Sequence, residues 1–333
     1  MNCTTEATID VRSADPGEFA RHKPDAHFEW IGDEGVRGRC SLWWNGMPAW
    51  NDHRVGMIGH YAASGDGACA FLNYACRQLS DHGCTLAVGP IDGSTWRSYR
   101  AITSFGNEPR FFLEPDNPPE WVEHFLGSEF ESLATYFSAL NDDLARIDPR
   151  VRRRAARLTQ IGITLRPIRV EAFEEDLRRI LAVSKAVFRG NLLYADPDEA
   201  EFLEMYRPLL GRVPLELILL AEHAGNPVGF VFSVPDLNEY TSGEPLQCDH
   251  QPSRMSRHGC KTVIVKTLAA LPHRQYAGLG QLLLAEVFRR AHELGFSRAI
   301  HALIRDSGPL RRITGRYARP IREYTLFARV LPR

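Results

Sequence analysis

In the first third of the chain, apolar and β-forming residues cluster in short runs broken at close intervals by turn residues. Residues 27–31 (HFEWI), 38–44 (GRCSLWW) and 54–62 (RVGMIGHYA) are separated by Gly, Asp and Asn, which predicts a meander of strands. Over 67–81 the pattern changes. Ala68, Phe71, Leu72, Ala75 and Leu79 recur at helical spacing, and after His82–Gly83 the apolar run 84–91 follows, so a helix feeds a strand. Strand-like segments at 110–113 and 132–140 flank a helix over 119–126 opened by a proline pair. A first lobe is expected to close near residue 140.

Residues 144–160 (LARIDPRVRRRAARLTQ) carry Arg150, Arg152, Arg153, Arg154 and Arg157. Such a run suits a phosphate patch or a solvated connector helix, and in a chain without net basic charge the connector is the simpler reading. The second half starts with a strand at 163–168, then helices at 171–189 and 197–210. Strands at 215–222 and 228–234 surround a Gly225–Asn226–Pro227 turn, and a strand at 262–271 precedes a helix at 279–294 with Leu279, Leu283 and Val287 on one face. A strand at 296–303 and a last helix and strand complete the pattern. Both halves are β-rich around a central strand–loop–helix–strand, an α/β (α+β) class in which the halves read as divergent copies: 1–143, a connector 144–162, and 163–333.

A length of 333 residues is enough for about two domains. Hydrophobic and charged contents of 44% and 24% suit a folded globular chain. Forty Lys and Arg against 41 Asp and Glu leave no basic excess for a nucleic acid or an anionic membrane, so an anionic ligand must be held locally. No apolar run is of membrane-spanning length and the start of the chain lacks a signal-peptide pattern. The seven Cys, with Cys69, Cys76 and Cys84 in apolar surroundings, suggest reduced buried thiols and a cytoplasmic protein, with monomer and homodimer both open. Cys248, His250, His258 and Cys260 are zinc-ligand types, but their one-residue gaps are tighter than usual metal spacings, so no metal is expected there.

The most informative stretch is 271–284, LPHRQYAGLGQLLL. A strand ends, a short loop follows, and an amphipathic helix opens at Gly280. Unpartnered N–H groups at a helix start point outward, and Gly278 and Gly280 remove the side chains that would keep a diphosphate away. Neither a Walker-type Gly-Lys-Ser/Thr nor a three-glycine dinucleotide fingerprint is present.

Read as Gln275-x-x-Gly278-x-Gly280 between strand and helix, the loop resembles the CoA-diphosphate loop of the GNAT superfamily of N-acyltransferases. GPIDGST (89–95), PDNPPEW (115–121), FRGNLLY (188–194) and VPDLNE (234–239) extend the similarity to a group of bacterial tandem-GNAT proteins. The resemblance implies two tandem GNAT-like lobes, each with a mixed, mostly antiparallel sheet flanked by helices. It implies acetyl-CoA or another acyl-CoA as co-substrate, held by Leu268, Ala269 and Ala270 and by the loop Arg274, Gln275, Tyr276, Ala277, Gly278, Leu279 and Gly280. The acceptor is then a small-molecule or peptide amine. In the first lobe the matching turn, 64–68, puts Asp66 where a phosphate would sit, so that lobe is expected to shape the substrate site or the scaffold. Asp236 is a candidate base or an Asx turn with Asn238. Asn191, Tyr194 and Asn238 are candidate substrate contacts, and Asn191 and Tyr194 read equally as turn and packing residues. The helix tyrosine used as an acid in many GNAT enzymes is replaced near Ile313–Thr314, leaving Tyr317 and Tyr324 as the nearest phenols. The alternatives are an acyl-CoA-binding regulatory protein and transfer from aminoacyl-tRNA as in Fem-type tandem folds; the diphosphate loop and the neutral charge count against the latter.

Overall fold

The computed structural model describes residues 9–33, 35–146, 148–240, 259–308 and 310–332. Its first half contains β1 (Asp10–Ser13), β2 (Ala26–Gly32), β3 (Gly35–Trp43), β4 (Val55–Ala63), α1 (Ala68–Asp81), β5 (Leu86–Gly89), β6 (Ala101–Ser104), α2 (Glu120–Gly127) and β7 (Glu131–Asn141). Helix α3 (Pro149–Gln160) leads into β8 (Ile163–Pro167), α4 (Phe173–Phe188), α5 (Glu199–Tyr206), β9 (Ile218–His223), β10 (Asn226–Pro235), β11 (Thr262–Ala270), α6 (Leu279–Glu293), β12 (Arg298–Arg305), α7 (Leu310–Thr314) and β13 (Arg319–Val330). The helices start where the chemistry allows: the Asp148 carboxylate caps α3 ahead of Pro149, and that of Asp198 caps α5.

Two local expectations fail, and one strand goes unforeseen, for identifiable reasons. Residues 110–113 form a turn in which the amide of Glu114 donates to the carbonyl of Phe111 at 3.2 Å, with the Phe111 ring buried in the second-half core. The strand nearby is instead β6, four residues long and paired only with β13 over 200 residues later, which no local pattern reveals. The helix expected over 197–210 breaks into α5 and a 3-10 turn at Pro208, whose ring removes an N–H donor.

The described strands make one sheet in the order β1-β2-β3-β4-β5-β13-β7-β12-β11-β10-β9-β8, with β6 beside β13. Within each half the pairing is antiparallel except for β4 with β5 and β11 with β12, the two parallel pairs that bracket α1 and α6. The halves do not close separately. Strand β13, from the second half, pairs with β5 of the first, while β7, from the first half, pairs with β12 of the second. The two exchanged strands pair with each other from Arg319–Leu140 to Ala328–Glu131. Residues 1–143 and 163–333 are therefore interleaved, and closure near residue 140 does not occur.

A buried polar cluster sits on the exchanged strands. The Glu114 carboxylate takes hydrogen bonds from the Arg322 guanidinium and the Tyr324 hydroxyl, and Tyr324 also bonds Ser138 Oγ at 2.9 Å. Ser138 in turn accepts from the Leu303 amide at 3.0 Å. Burial raises the Glu114 carboxyl above the usual range despite these donors, and burial with the nearby carboxylate pushes Tyr324 up. Cys40, Cys76, Cys84 and Cys260 are buried free thiols, but Cys69 is disulfide-bonded, contrary to the expectation of a reduced thiol there. Cys248, His250 and His258 lie outside the described residues, and the Cys260 thiol donates to the Asp236 carbonyl at 3.3 Å. Among the described residues no helix is long and apolar enough to cross a membrane.

Because each half supplies a central strand to the other, heating is expected to give one calorimetric transition. Fragments 1–143 and 163–333, expressed separately, should show no cooperative melt; independent folding of either would contradict this reading of the exchange. Arg322→Met, which leaves the Glu114 carboxylate buried without its counter-charge, should cost about 3–5 kcal/mol in urea unfolding.

Candidate functional site

Strands β11 and β12 run side by side only from Thr262–Arg298 to Val265–His301, after which their ladder ends and a gap opens. At that point β11 carries a bulge: Phe232 of β10 pairs with Thr267 and Ser233 with Val265, leaving Lys266 as the extra residue. Beyond the bulge the main chain faces the gap. The Leu271 amide donates to the Val228 carbonyl of β10 at 2.9 Å. Alternation along an antiparallel strand then turns the amides of Ala270 and Leu268 to the opposite edge, toward β12.

The gap leads to the loop before α6. Gly278, at the N-cap, has φ +91, a left-handed conformation natural to glycine, and α6 has no acidic residue in its first turn. Its first N–H groups lack intrahelical partners and add the positive end of the helix dipole. Gly280 has a different reason to be small: a Cβ there would meet nothing nearer than Leu268 at 3.8 Å, so the space above it is open. Tyr276 anchors the loop from below, buried against β9 with its hydroxyl 2.9 Å from His223 Nδ1. Arg274, Gln275 and Ala277 are exposed on its outer face.

The arginine helix α3 does more than connect. Arg157 donates to the carbonyls of Gln275 (3.2 Å) and Ala277, and the Arg154 stem packs so closely on Gly278 that a Cβ there would lie 2.6 Å from its Cδ. Two of the five arginines thus stand against the loop that sequence reasoning picked for a diphosphate. In the first lobe the equivalent turn is filled: a Cβ on Gly67 would lie 2.4 Å from the Trp30 indole, so an aromatic ring covers the start of α1.

Where β11 and β12 part, two polar side chains flank the vertex. Lys266 projects to the α4–α5 face, its ammonium donating to the Tyr206 hydroxyl at 3.2 Å and lying 4.7 Å from that ring. On the α6 face, His301 is buried, with Nδ1 3.0 Å from Thr314 Oγ1 and Nε2 without a hydrogen-bond partner. Burial lowers its pKa to about 4, so it is neutral. Neither residue belongs to a motif; each is singled out by its position at the end of a ladder.

A cleft of about 270 Å³ lies between the halves, lined from the first by His22, Trp43, Trp96 and Arg97 and from the second by residues 195–198, Glu201 and Phe202. Arg97 binds Glu201 at 2.6 Å and Trp96 donates to the Ala195 carbonyl at 2.9 Å, so the walls are tied together. Phe202 stacks edge-on with Tyr206 at 4.8 Å, linking the cleft to the Lys266 vertex.

The other candidate residues are spread out. Tyr194 lies by this cleft, its hydroxyl on Asp196 at 2.8 Å and its ring 6.1 Å from Trp96, while Asn191 is exposed in the preceding turn. Asp236 is buried and accepts from the amides of Phe112 (2.8 Å) and Asn238 (3.2 Å); burial raises its pKa. Its own amide donates to Thr262, four residues from Lys266, so it lies about 13 Å along β11 from the vertex. Asn238 binds the Arg110 carbonyl at 3.1 Å. Tyr324 is fully buried on Glu114, and Tyr317 accepts from the Asp148 amide at 3.3 Å beside α3. Asp236, Tyr317 and Tyr324 are not brought together; each has hydrogen-bond partners of its own.

No family model and no curated protein matches the sequence. Solved structures do. A tandem GNAT protein from the clavulanic acid biosynthesis pathway is 12% identical, with 98% of this chain and 99% of that one covered at a TM-score of 0.51. A GCN5-related N-acetyltransferase from Sphaerobacter thermophilus is 11% identical, covering 97% and 95% at 0.51. A GCN5-related glucosamine N-acetyltransferase region of a fungal multi-domain GH3 β-N-acetylglucosaminidase is 12% identical over 97% of this chain at 0.56, this chain spanning 38% of that longer one. At such identities the likeness is one of architecture, and it extends from end to end: the chain has the tandem GNAT fold.

Proposed function

We propose that the second lobe binds an acyl-CoA and transfers its acyl group, acetyl in size, directly to a primary amine held in the cleft between the halves. The observation that carries this is the continuous path from the open, glycine-started end of α6 to the gap between β11 and β12. The loop and α6 amides, with Arg154 nearby, suit a diphosphate. The amides of Ala270 and Leu268 suit the pantetheine arm, which would end at the Lys266 bulge. The amine nitrogen attacks in its unprotonated form, forming the carbon–nitrogen bond as the carbon–sulfur bond breaks, and the proton that the nitrogen then sheds ends on the departing CoA sulfur, giving the free thiol.

In this arrangement Lys266 serves the oxygen of the tetrahedral intermediate, on which negative charge develops, and Tyr206 holds its ammonium in place. The cleft wall carries Asp25, Asp196, Asp198 and Glu201 against Lys23 and Arg97, an acidic excess that favours a basic amine over an anionic acceptor. The engagement of Tyr317 and Tyr324 elsewhere favours one second reading, an acyl-CoA-binding regulatory protein without turnover. Acetyl-CoA calorimetry run beside a thiol-release assay over an amine panel separates the two, since binding with no thiol release leaves only the second.

Gly280→Asp adds a carboxylate at the start of α6 in open space, unlike any substitution at Gly278, where backbone and Arg154 object. It is expected to weaken acetyl-CoA binding at least 10-fold by calorimetry with an unchanged melting temperature, whereas Gly280→Ala should bind nearly as well as the parent. Equal affinity in the Asp variant would falsify the loop assignment. Lys266→Met is expected to lower kcat about 100-fold, with the dissociation constant for acetyl-CoA within twofold of the parent's.

A further inference from the structure

We propose that His22, His60 and Asp92, beside the cleft in the first lobe, form a site for one divalent transition-metal ion of the zinc class. The site is independent of the acyl-transfer reading. The three side chains come from the 3-10 turn before β2, from β4 and from the loop after β5, and their donor atoms all lie within 4.8 Å of one another. His22 Nδ1 and His60 Nε2 face each other at 2.7 Å, and Asp92 Oδ2 is 3.9 Å from His60 Nε2. In a tetrahedral zinc site with metal–nitrogen bonds near 2.0–2.1 Å, adjacent nitrogens sit about 3.3 Å apart, so the pair needs to open by only about half an ångström.

The surroundings orient the donors as metal ligands are usually oriented. A ligating imidazole uses one nitrogen for the metal and donates the other N–H to a fixed acceptor. His60 Nδ1 is 2.8 Å from Ser41 Oγ, and Ser41 Oγ is 2.8 Å from His27 Nδ1, so the hydroxyl can accept from His60 and donate to His27. The Asp92 carboxylate is likewise held by one oxygen, Oδ1, which accepts from the His60 amide at 2.7 Å, leaving Oδ2 for the ion. Gly59 makes that approach possible: a Cβ there would lie 2.6 Å from Asp92 Oδ1 and 2.2 Å from the Ile91 carbonyl. His60 takes φ +46, a conformation uncommon for a residue with a side chain, and its ring is stacked on Phe19 at 4.1 Å with 3% of the side chain exposed.

The donor set of two neutral imidazoles and one carboxylate suits zinc and related ions. Arg97, a fixed cation beside the site, is turned to other partners. It donates to the carbonyls of His22 and Asp92 at 3.0 and 3.1 Å and is paired with Glu201 at 2.6 Å. His22 and Gly93 line the cleft, so the fourth coordination position opens on that side, where it would take a water or a lone-pair donor of a bound molecule.

The test uses the full, tag-free chain after chelator treatment. Zinc is titrated by calorimetry, and cobalt(II) serves as a coloured substitute read by visible absorption. One equivalent of zinc and a tetrahedral cobalt spectrum are expected. Asp92→Asn, which keeps the oxygen that accepts from the His60 amide, and His22→Ala should each abolish the cobalt spectrum while melting as one transition. Ser41→Ala should weaken zinc about 10–100-fold, and a Cys248→Ser, His250→Ala double variant should bind as the parent does. Absence of stoichiometric zinc in the parent, meaning that the two imidazoles only share a proton, overturns the proposal. So does zinc retained by both the Asp92 and His22 variants, or zinc lost from the Cys248, His250 double variant alone.

Discussion

The exchange of β7 and β13 is the constraint on which the rest of the molecule depends. A parallel pair of strands bracketing a helix, as β11 and β12 bracket α6, is free to diverge at one end only if the outer strand is held from its other side. Here β12 is held by β7, a strand of the other half, and β7 is held in turn by β13. The buried Glu114, Arg322, Tyr324 and Ser138 cluster sits where these strands meet and reaches the Leu303 amide just past the parting of β11 and β12. Charges buried in this way add little net stability when satisfied but are costly to leave half-paired, so they hold the strands to one register.

The two halves differ in what they offer around their central helices. In the second, the start of the central helix is bare, flanked by arginine and followed by main-chain amides that face a gap. In the first, the start of α1 is covered by Trp30, and the polar groups have gathered instead around His22, His60 and Asp92 next to the shared cleft. One lobe offers backbone and the other offers side chains.

What the sequence revealed follows the range of the interactions involved. The meander, α1, α6 and the glycines of the loop were legible because periodicity and a turn are local properties. The role of α3 was not, since Arg157 meets Gln275 across 118 residues and a solvated arginine face looks the same in sequence as one folded over a loop. Strand β6 escaped because its four residues have no partner nearby in the chain, and Asp236 attracted attention as a turn carboxylate although it is occupied by the Phe112 amide 124 residues away. The cysteine–histidine spacing at 248–260 is visible because it falls in one short segment, whereas His60 gathers hydrogen-bond partners 38 and 32 residues distant.

The cleft beside Phe202 has walls from both halves, bound together by Arg97 with Glu201 and by Trp96 with Ala195. The groups that would recognise a donor all belong to α3 and the second half. Changes at Trp43, Trp96 or residues 195–198 can therefore reshape the cleft without touching the loop or the start of α6. In such an architecture a cleft wall and a bare helix start lie on separate elements, so a change in the shape of one need not pass through the other.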